Sequence, residues 1–209
     1  MTRAHIKICG ITTIEDARLA CDLGADWLGF NFYRPSPRYI GPRWAADIIA
    51  ELPPAITKVG VFVNASIDAI RDVLEQCPLD VAQLHGDESP DDCRRVANFG
   101  VGVMKAVRVR RPDDIRTARI FPTQWILLDA FHEELYGGSG DRFNWDWLRD
   151  DVEGKVFLAG GIGPDNIADA LAVGAWGVDL CSGVEAAPGR KDPGRMKRLF
   201  AAIKDYYAR

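Results

Sequence analysis

Eight apolar segments, each of strand length, alternate along this chain with segments of helical spacing. The predicted strands occupy residues 4–8, 27–31, 57–63, 80–84, 101–107, 125–128, 156–158 and 177–180. Strands that alternate with helices pair in parallel, and eight such units are the number of a closed (β/α)8 TIM barrel. The sequence therefore predicts a single α/β barrel domain that spans residues 1–209.

Helix-start signals lie between these strands. Thr12 and Glu15 have capping-box spacing, Ser66 precedes an apolar stripe, and Ser89 is followed by a proline at the first helical position. The predicted helices run from Thr12 to before Gly24 and over 43–51, 67–76, from Pro90, over 112–119 and 145–149, over 166–173 with Pro164 at its start, and from Asp192. An open doubly wound sheet is the alternative, but no GxGxxG follows the first strand.

Composition excludes several classes of protein. The net charge of −4 argues against a general nucleic-acid or anionic-membrane binder, and no apolar run approaches a membrane span. The N-terminus shows neither a signal-peptide core nor a cleavage site, so we expect a cytoplasmic protein. There is no HExxH or calcium-loop motif, and the five cysteines lack CxxC spacing, so no metal is expected. Cys21, Cys77 and Cys93 have the spacing of small core residues.

The stretch 156–184 contains strand, glycine turn, helix, strand and a second glycine turn. Gly160 and Gly161 follow one strand, and Ser182 and Gly183 follow the next. In a parallel barrel both turns emerge at the carboxyl ends of the strands, where their N–H groups can converge on one anion. This pattern predicts a phosphate site, although similar turns also serve only as connections.

Polar residues at the ends of the other strands are the candidates for chemistry. A thiol, Cys9, and a carboxylate, Asp129, can serve as a base and an acid on one small substrate. Arg38 can bind a carboxylate, and His85 can orient a loop. From position alone, packed or structural roles remain open for all four. Further candidates near the strand ends are Lys7, Arg34, Ser36, Asn64, Asp87, Glu88, Lys105 and Arg108.

Specific motifs lie along nearly the whole chain. In order they are KICG at 7–10, GADWLGFNF at 24–32, SPRYI at 36–40, VGVFVN at 59–64, QLHGDE at 83–88, LLDA at 127–130, GGSGDRFNW at 137–145, LAGGI at 158–162, GVDLCSGVE at 177–185 and PGRKD at 188–192. In this order they resemble the phosphoribosylanthranilate isomerase family of tryptophan biosynthesis. The resemblance implies an Amadori rearrangement of N-(5-phosphoribosyl)anthranilate to 1-(2-carboxyphenylamino)-1-deoxyribulose 5-phosphate, without metal or organic cofactor.

The resemblance also implies roles for particular residues. Cys9 would be the general base, Asp129 the general acid, and Arg38 would hold the anthranilate carboxylate. The remaining substrate-binding residues would be Lys7, His85, Gly138, Ser139, Gly140, Gly160, Gly161, Ser182 and Gly183. The expected partner is a small phosphosugar, and the chain would act as a monomer or a homodimer.

Three positions depart from the family pattern. Ser139 stands where threonine is common, Asn144 where the motif FDW is usual, and Cys181 replaces a serine. Cys181 matters most, because a thiol is a poor hydrogen-bond donor.

Two rival interpretations remain at this stage. The related histidine-pathway sugar isomerase has an aspartate at the position of Cys9, so a thiol favours the anthranilate substrate. A phosphosugar-binding barrel without turnover is the other rival, and the presence of both Cys9 and Asp129 argues against it.

Overall fold

Eight parallel strands close into a barrel in which the first strand pairs with the last. The computed structural model describes residues 3–130, 143–148 and 154–209. The strands are β1 (His5–Cys9), β2 (Trp27–Asn31), β3 (Thr57–Phe62), β4 (Val81–Leu84), β5 (Gly102–Val109), β6 (Trp125–Ala130), β7 (Val156–Leu158) and β8 (Gly177–Leu180). The predicted (β/α)8 barrel is confirmed, and the open-sheet alternative is wrong.

Helices pack around the outside of the barrel. They are α1 (Ile14–Leu23), α2 (Pro42–Ala50), α3 (Ile67–Gln76), α4 (Pro90–Ala97), α5 (Pro112–Thr117), α6 (Ile167–Ala172) and α7 (Pro193–Tyr207). Short 3-10 turns cover Ala118–Ile120, Trp145–Leu148 and Ser182–Val184. Asn144, which stands where the family motif has an aspartate, precedes the turn at Trp145–Leu148. Its side chain accepts a hydrogen bond from Asp146 N at 3.0 Å, as an aspartate side chain could.

Two predicted helix starts are each one residue too early. Thr13 caps α1 by accepting from Asp16 N, one residue after the predicted pair, because Thr13 and Asp16 have the same capping spacing. Helix α6 begins at Ile167, after Pro164. Asn166 instead braces the preceding loop, donating to Gly161 O at 2.9 Å and accepting from Gly163 N at 2.8 Å.

A short antiparallel pair follows β8. It consists of β9 (Glu185–Ala187) and β10 (Arg190–Lys191), joined through Gly189, whose φ is 78°. Strands of three and two residues are too short for a period-two pattern, so the sequence does not predict them. The pair carries Glu185 and Lys191 back to the mouth of the barrel.

The barrel interior is divided into an apolar floor and a polar upper layer. The floor holds the buried side chains of Trp27, Val59, Val81, Met104, Ala106, Leu127, Phe157 and Ala159. Trp27 meets Trp125 and Phe157 edge to face, each with a centroid separation of 5.1 Å. Side chains alternate along a strand, so the next inward positions toward the carboxyl end are polar, among them Lys7, Gln83, Asp129 and Asp179.

Cys77 and Cys93 are buried as predicted, and Cys21 is half-buried against the core. None of the helices in the part of the chain that the structure describes has the length and apolar character needed to cross a bilayer.

Candidate active site

One cavity opens at the carboxyl ends of the barrel strands, where (β/α)8 enzymes place their chemistry. The predicted site residues in its wall are Cys9, Arg38, His85, Asp129, Gly160, Gly161 and Ser182. Lys7 and Gly183 lie outside the wall, Lys7 beneath it and Gly183 behind it. Gly138, Ser139 and Gly140 fall outside the residues that the structure describes.

The Cys9 thiol lies in a strongly polar environment. A hydrogen bond with the Cys181 side chain holds the pKa of Cys9 well below its ordinary value, against the effect of burial. The positive charges of Lys7 and Lys191 act in the same direction. The same hydrogen bond and burial raise the pKa of Cys181. The arrangement therefore favours the thiolate at Cys9 and the thiol at Cys181, and the Cys181 Sγ also lies 3.8 Å from Glu185 Oε1.

A buried ion pair lies directly below Cys9. Lys7 Nζ donates to Asp179 Oδ1 at 2.8 Å, and the Lys7 side chain is wholly buried. Burial raises the pKa of Asp179 to about 6, although the Lys7 ammonium opposes this. Burial opposes the charge on Lys7 as well, yet the anions of Asp179 and Cys9 hold the pKa of Lys7 above its usual range. Both partners are therefore ionised at neutral pH.

Asp129 is held by two donors. Its Oδ1 accepts from Ala130 N at 2.9 Å, and its Oδ2 lies 3.2 Å from His85 Nε2. His85 Nδ1 in turn lies 2.7 Å from Gln83 Nε2, so Gln83 donates and the ring proton sits on Nε2. Gln83, His85 and Asp129 thus form one buried chain of hydrogen bonds.

The orientation of the Gln83 amide determines which ring nitrogen of His85 carries the proton. Gln83 Oε1 is buried and has no hydrogen-bond partner within the described residues. Rotating the amide by half a turn would place Gln83 Oε1 against a protonated His85 Nδ1, and His85 Nε2 could then accept a proton from Asp129. The same heavy-atom positions therefore accommodate Asp129 with or without its proton.

Arg38 is oriented by Glu185. Arg38 Nε donates to Glu185 Oε1 at 3.0 Å and Nη2 donates to Oε2 at 2.8 Å, while no described residue accepts from Nη1. Lys191 Nζ also donates to Glu185 Oε1, at 3.0 Å. Burial opposes the charge on Glu185, but these donors lower its pKa. One edge of the guanidinium is thereby fixed, and Arg38 lines the cavity.

The loops after β7 and β8 lie backbone to backbone. A Cβ on Gly183 would press on the carbonyl of Ile162 and come within 3.0 Å of Gly163 Cα. Gly160 and Gly161 have φ of 92° and 60°, in the left-handed region that favours glycine. Among the described residues none accepts a hydrogen bond from the backbone N–H of Gly161, Ser182 or Gly183. Adjacent unpaired donors of this kind suit an anion.

Several other candidates serve the scaffold. Lys105 Nζ lies within 3.1 Å of four acceptors, namely Leu84 O, Gly86 O, Ala106 O and Glu88 Oε2. Glu88 also accepts from Asn64 N and Gly86 N. This network fixes the loop that carries His85. Arg108 pairs with Asp87 at the surface, and Arg34 lies over the Tyr39 ring. Only Ser36 of this group lines the cavity.

The site also contains residues that sequence reasoning missed. Gln83 and Asp179 lie inside apolar strands, and Glu185 and Lys191 lie in the short β9–β10 pair. A polar residue inside an otherwise apolar strand was the available signal for the first two. In the part of the chain that the structure describes, no three His, Cys, Asp or Glu residues group as metal ligands would.

A (β/α)8 barrel with a titratable thiol and a carboxyl in one mouth belongs to the class of barrel enzymes that use acid–base chemistry. Residues 6–202 match the family model described as N-(5'-phosphoribosyl)anthranilate (PRA) isomerase. The chain belongs to this isomerase family. In tryptophan biosynthesis it converts N-(5'-phosphoribosyl)anthranilate to 1-(2-carboxyphenylamino)-1-deoxyribulose 5-phosphate. The reaction isomerises an aminoaldose to an aminoketose.

Individual relatives agree with the family match. The N-(5'-phosphoribosyl)anthranilate isomerase of Citrifermentans bemidjiense is 49% identical over 201 residues, covering 95% of this chain and 96% of the relative. A phosphoribosylanthranilate isomerase solved in complex with reduced 1-(o-carboxyphenylamino)-1-deoxyribulose 5-phosphate superposes with a TM-score of 0.85, at 39% identity, over 97% of this chain and 99% of that one.

A second solved structure concerns assembly. It shows monomers generated from the dimeric phosphoribosylanthranilate isomerase of Thermotoga maritima, with a TM-score of 0.84 and 38% identity, over 97% of this chain and 99% of that one. A dimeric relative of this chain therefore exists.

Proposed function

We propose that Cys9 is the general base and Asp129 the general acid of the rearrangement. The observation that carries this assignment is their shared position in the wall of one cavity at the carboxyl ends of the strands. A base on carbon must be ionised before it acts, and the Cys181 hydrogen bond and nearby ammonium groups favour the Cys9 thiolate.

In this proposal the two groups act in sequence. Asp129 gives its proton to the furanose oxygen as the ring C1–O bond breaks, and the nitrogen lone pair forms the C=N bond. The Cys9 thiolate then removes the proton from ribose C2 and forms the enolamine, which tautomerises to the ketose. Gln83 and His85 position Asp129, because His85 holds its Oδ2 at 3.2 Å in either protonation arrangement.

Arg38 is the proposed ligand of the anthranilate carboxylate. A guanidinium binds a carboxylate with two parallel hydrogen bonds, which a lysine ammonium cannot reproduce. Glu185 accepts hydrogen bonds from Arg38 Nε and Nη2. This contact supports a fixed orientation for the rest of the guanidinium group.

The proposed phosphate site consists of Gly160, Gly161, Ser182 and Gly183. Its support is the unpaired N–H groups of the two touching loops. Gly138, Ser139 and Gly140 keep their proposed part in phosphate binding on the family resemblance alone.

Lys7 needs a different role from the one implied by the resemblance. Its ammonium is wholly buried against Asp179, beneath the cavity wall, so we propose that Lys7 stabilises the Cys9 thiolate and does not touch the substrate. His85 lines the cavity and contacts Asp129, and a direct substrate contact for it stays a prediction.

At the level of the whole protein, we propose that residues 1–209 form one cytoplasmic domain whose partner is the phosphosugar substrate, with no nucleic acid, membrane, metal or organic cofactor. The chain would be a monomer or a homodimer, as a dimeric relative supports. Light scattering during gel filtration distinguishes the two states.

An assay with the histidine-pathway aminoaldose beside phosphoribosylanthranilate tests substrate exclusivity.

Removing the acid and the base separately tests the catalytic assignment. Cys9→Ala and Asp129→Asn should each lower kcat by about 10²-fold to 10⁴-fold, while the binding of a reduced product analogue changes little. Cys21→Ala is the matched control and should keep wild-type kcat, because Cys21 lies on α1 outside the cavity. Normal turnover by Cys9→Ala would return Cys9 to a packing role.

A further inference from the structure

Cys9 is the last residue of β1, and Cys181 directly follows the last residue of the neighbouring strand β8. In the pairing of β1 with β8, Lys7 is opposite Asp179 and Ile8 is opposite Leu180, and the two cysteines follow next in this register. Side chains alternate along strands, so Cys9 and Cys181 point the same way as the ion-paired Lys7 and Asp179. Paired strands lie about 4.7–4.9 Å apart, within the Cα separations that disulfides span.

Lys191 connects the two cysteines from the other side. Its Nζ donates to Cys9 O at 2.5 Å and lies 3.5 Å from Cys181 O. One ammonium therefore lies against both carbonyl groups and keeps the two residues side by side at the mouth of the barrel. Both cysteines line the cavity and are partly exposed, so a small reagent can reach them.

We propose that Cys9 and Cys181 are a peroxide-sensitive thiol pair that closes reversibly to an intramolecular disulfide. The chemistry needs one hydroperoxide as oxidant. The Cys9 thiolate attacks a peroxide oxygen, the O–O bond breaks, and the departing hydroxide takes up a proton as water, which leaves Cys9 as a sulfenic acid. Cys181 then attacks the Cys9 sulfur. The S–S bond forms as the S–OH bond breaks, and the hydroxyl leaves as water with the Cys181 proton.

The balance is two thiols and one hydroperoxide giving one disulfide, one water and the reduced hydroxyl compound, with two electrons passing from sulfur to oxygen. A neighbouring resolving thiol protects Cys9, because a sulfenic acid that condenses with a thiol does not go on to the irreversible sulfinic acid. If Cys9 is the base, as proposed above, the disulfide also stops turnover until a thiol reductant reopens it.

The test uses the full-length, reduced protein and hydrogen peroxide. After brief exposure, free thiols are blocked with N-ethylmaleimide and peptides are analysed by mass spectrometry. We expect a linked pair of peptides that contain Cys9 and Cys181, lighter by two hydrogen atoms than the separate peptides, while Cys21 carries the label. Dithiothreitol should remove the link and restore isomerase activity.

Two variants sharpen the test. In Cys181→Ser, dimedone should trap Cys9 as a sulfenic acid, and longer exposure should give sulfinic acid that dithiothreitol does not reverse. In Cys21→Ser, the matched control, the yield of linked peptide should equal that of the wild type. Wild-type Cys9 that is oxidised to sulfinic acid without a link to Cys181, or that stays fully open to N-ethylmaleimide, would overturn the proposal.

The mass measurement is independent of the catalytic role of Cys9. A linked peptide in protein that retains activity would leave the thiol pair standing and refute Cys9 as the base. An inactive Cys9→Ala variant together with an unlinked wild type would do the reverse.

Discussion

At the scale of single residues, the site is organised by what surrounds Cys9. The sequence places a thiol at the end of the first strand, but its neighbours Cys181 and Lys7 decide its ionisation. Cys181, which departs from the usual serine, lowers the pKa of Cys9 through a side-chain hydrogen bond, and its Sγ also lies 3.8 Å from Glu185 Oε1. Replacing serine by a weaker hydrogen-bond donor at this position is therefore compatible with a Cys9 thiolate.

The lowered pKa of Cys9 predicts how its alkylation depends on pH. Thiolates are the reactive form, so between about pH 8 and about pH 6 the rate at which iodoacetamide modifies Cys9 should fall less steeply than that of an ordinary thiol, whose pKa is about 8.5. Burial raises the pKa of Cys21, whose rate should fall about tenfold per pH unit. Peptide mapping after timed labelling measures both rates. Parallel slopes for the two cysteines would show that Cys9 is an ordinary thiol.

Arg38 offers a second residue-scale prediction. Arg38→Lys keeps a positive charge near Glu185 but loses the fork, which should cost about 2 kcal/mol of transition-state stabilisation, roughly a 30-fold fall in kcat/KM. Arg34→Lys is the matched control, because Arg34 lies in the same loop over the Tyr39 ring and not in the cavity. Equal kcat/KM for the two variants would place the carboxylate site elsewhere.

The residues that could be predicted are those at strand ends, such as Cys9, Asp129 and Arg38. The roles of Asp179 and Gln83 were not predicted, because a polar residue within a strand does not show which residue it contacts. The partner of Asp179 is Lys7, 172 residues earlier in the chain, and only barrel closure brings them together. Spacing along the sequence carries no information about such a contact.

At the scale of elements, the two glycine loops are the best-predicted part of the site. Their place after β7 and β8 follows from alternation of strands and helices, since all parallel strands end at one face. Their contact does not follow, because it depends on the close approach of Gly183 to Ile162 and on the brace from Asn166. The β9–β10 pair was not predicted, because its strands are too short to give a pattern. The contacts of Glu185, which lies in this pair, were therefore not predicted either.

A charge placed in the first loop tests the phosphate site. Gly161 has a φ of 60°, which Asp and Asn tolerate better than other side chains do, whereas any side chain on Gly183 would press on Ile162. Gly161→Asp should weaken binding of a phosphorylated product analogue by about tenfold or more relative to Gly161→Asn, through repulsion between anions. Titration calorimetry at low and high salt measures the difference. Equal affinities for the two variants would remove the phosphate from this loop.

At the scale of the whole molecule, the barrel separates stability from chemistry along its axis. The floor is aromatic, and Trp27 there meets both Trp125 and Phe157 edge to face. The mouth is polar, and its buried groups are paired across strands. Eight strands could be predicted from the sequence. Which inward-facing positions hold aromatic rings could not, because that depends on the space that neighbouring residues leave. Gly177 leaves room for the Phe157 ring, since a Cβ there would lie 2.5 Å from it.

This separation predicts a variant that loses stability while its site chemistry is retained. Phe157 is wholly buried in the floor, and Phe157→Ala should lower the free energy of unfolding by about 3–5 kcal/mol through lost burial and a residual cavity. Ile120→Ala, at a side chain that is 59% exposed, should change it by less than about 0.5 kcal/mol. Urea denaturation followed by fluorescence and circular dichroism measures both, and coincident single transitions are expected if residues 1–209 unfold as one domain.

Because the floor lies below the Lys7–Asp179 layer, Phe157→Ala that remains folded should keep the pH dependence of Cys9 alkylation. A change in that pH dependence without a change in unfolding free energy would mean that the floor sets the site's electrostatics and not the barrel's stability.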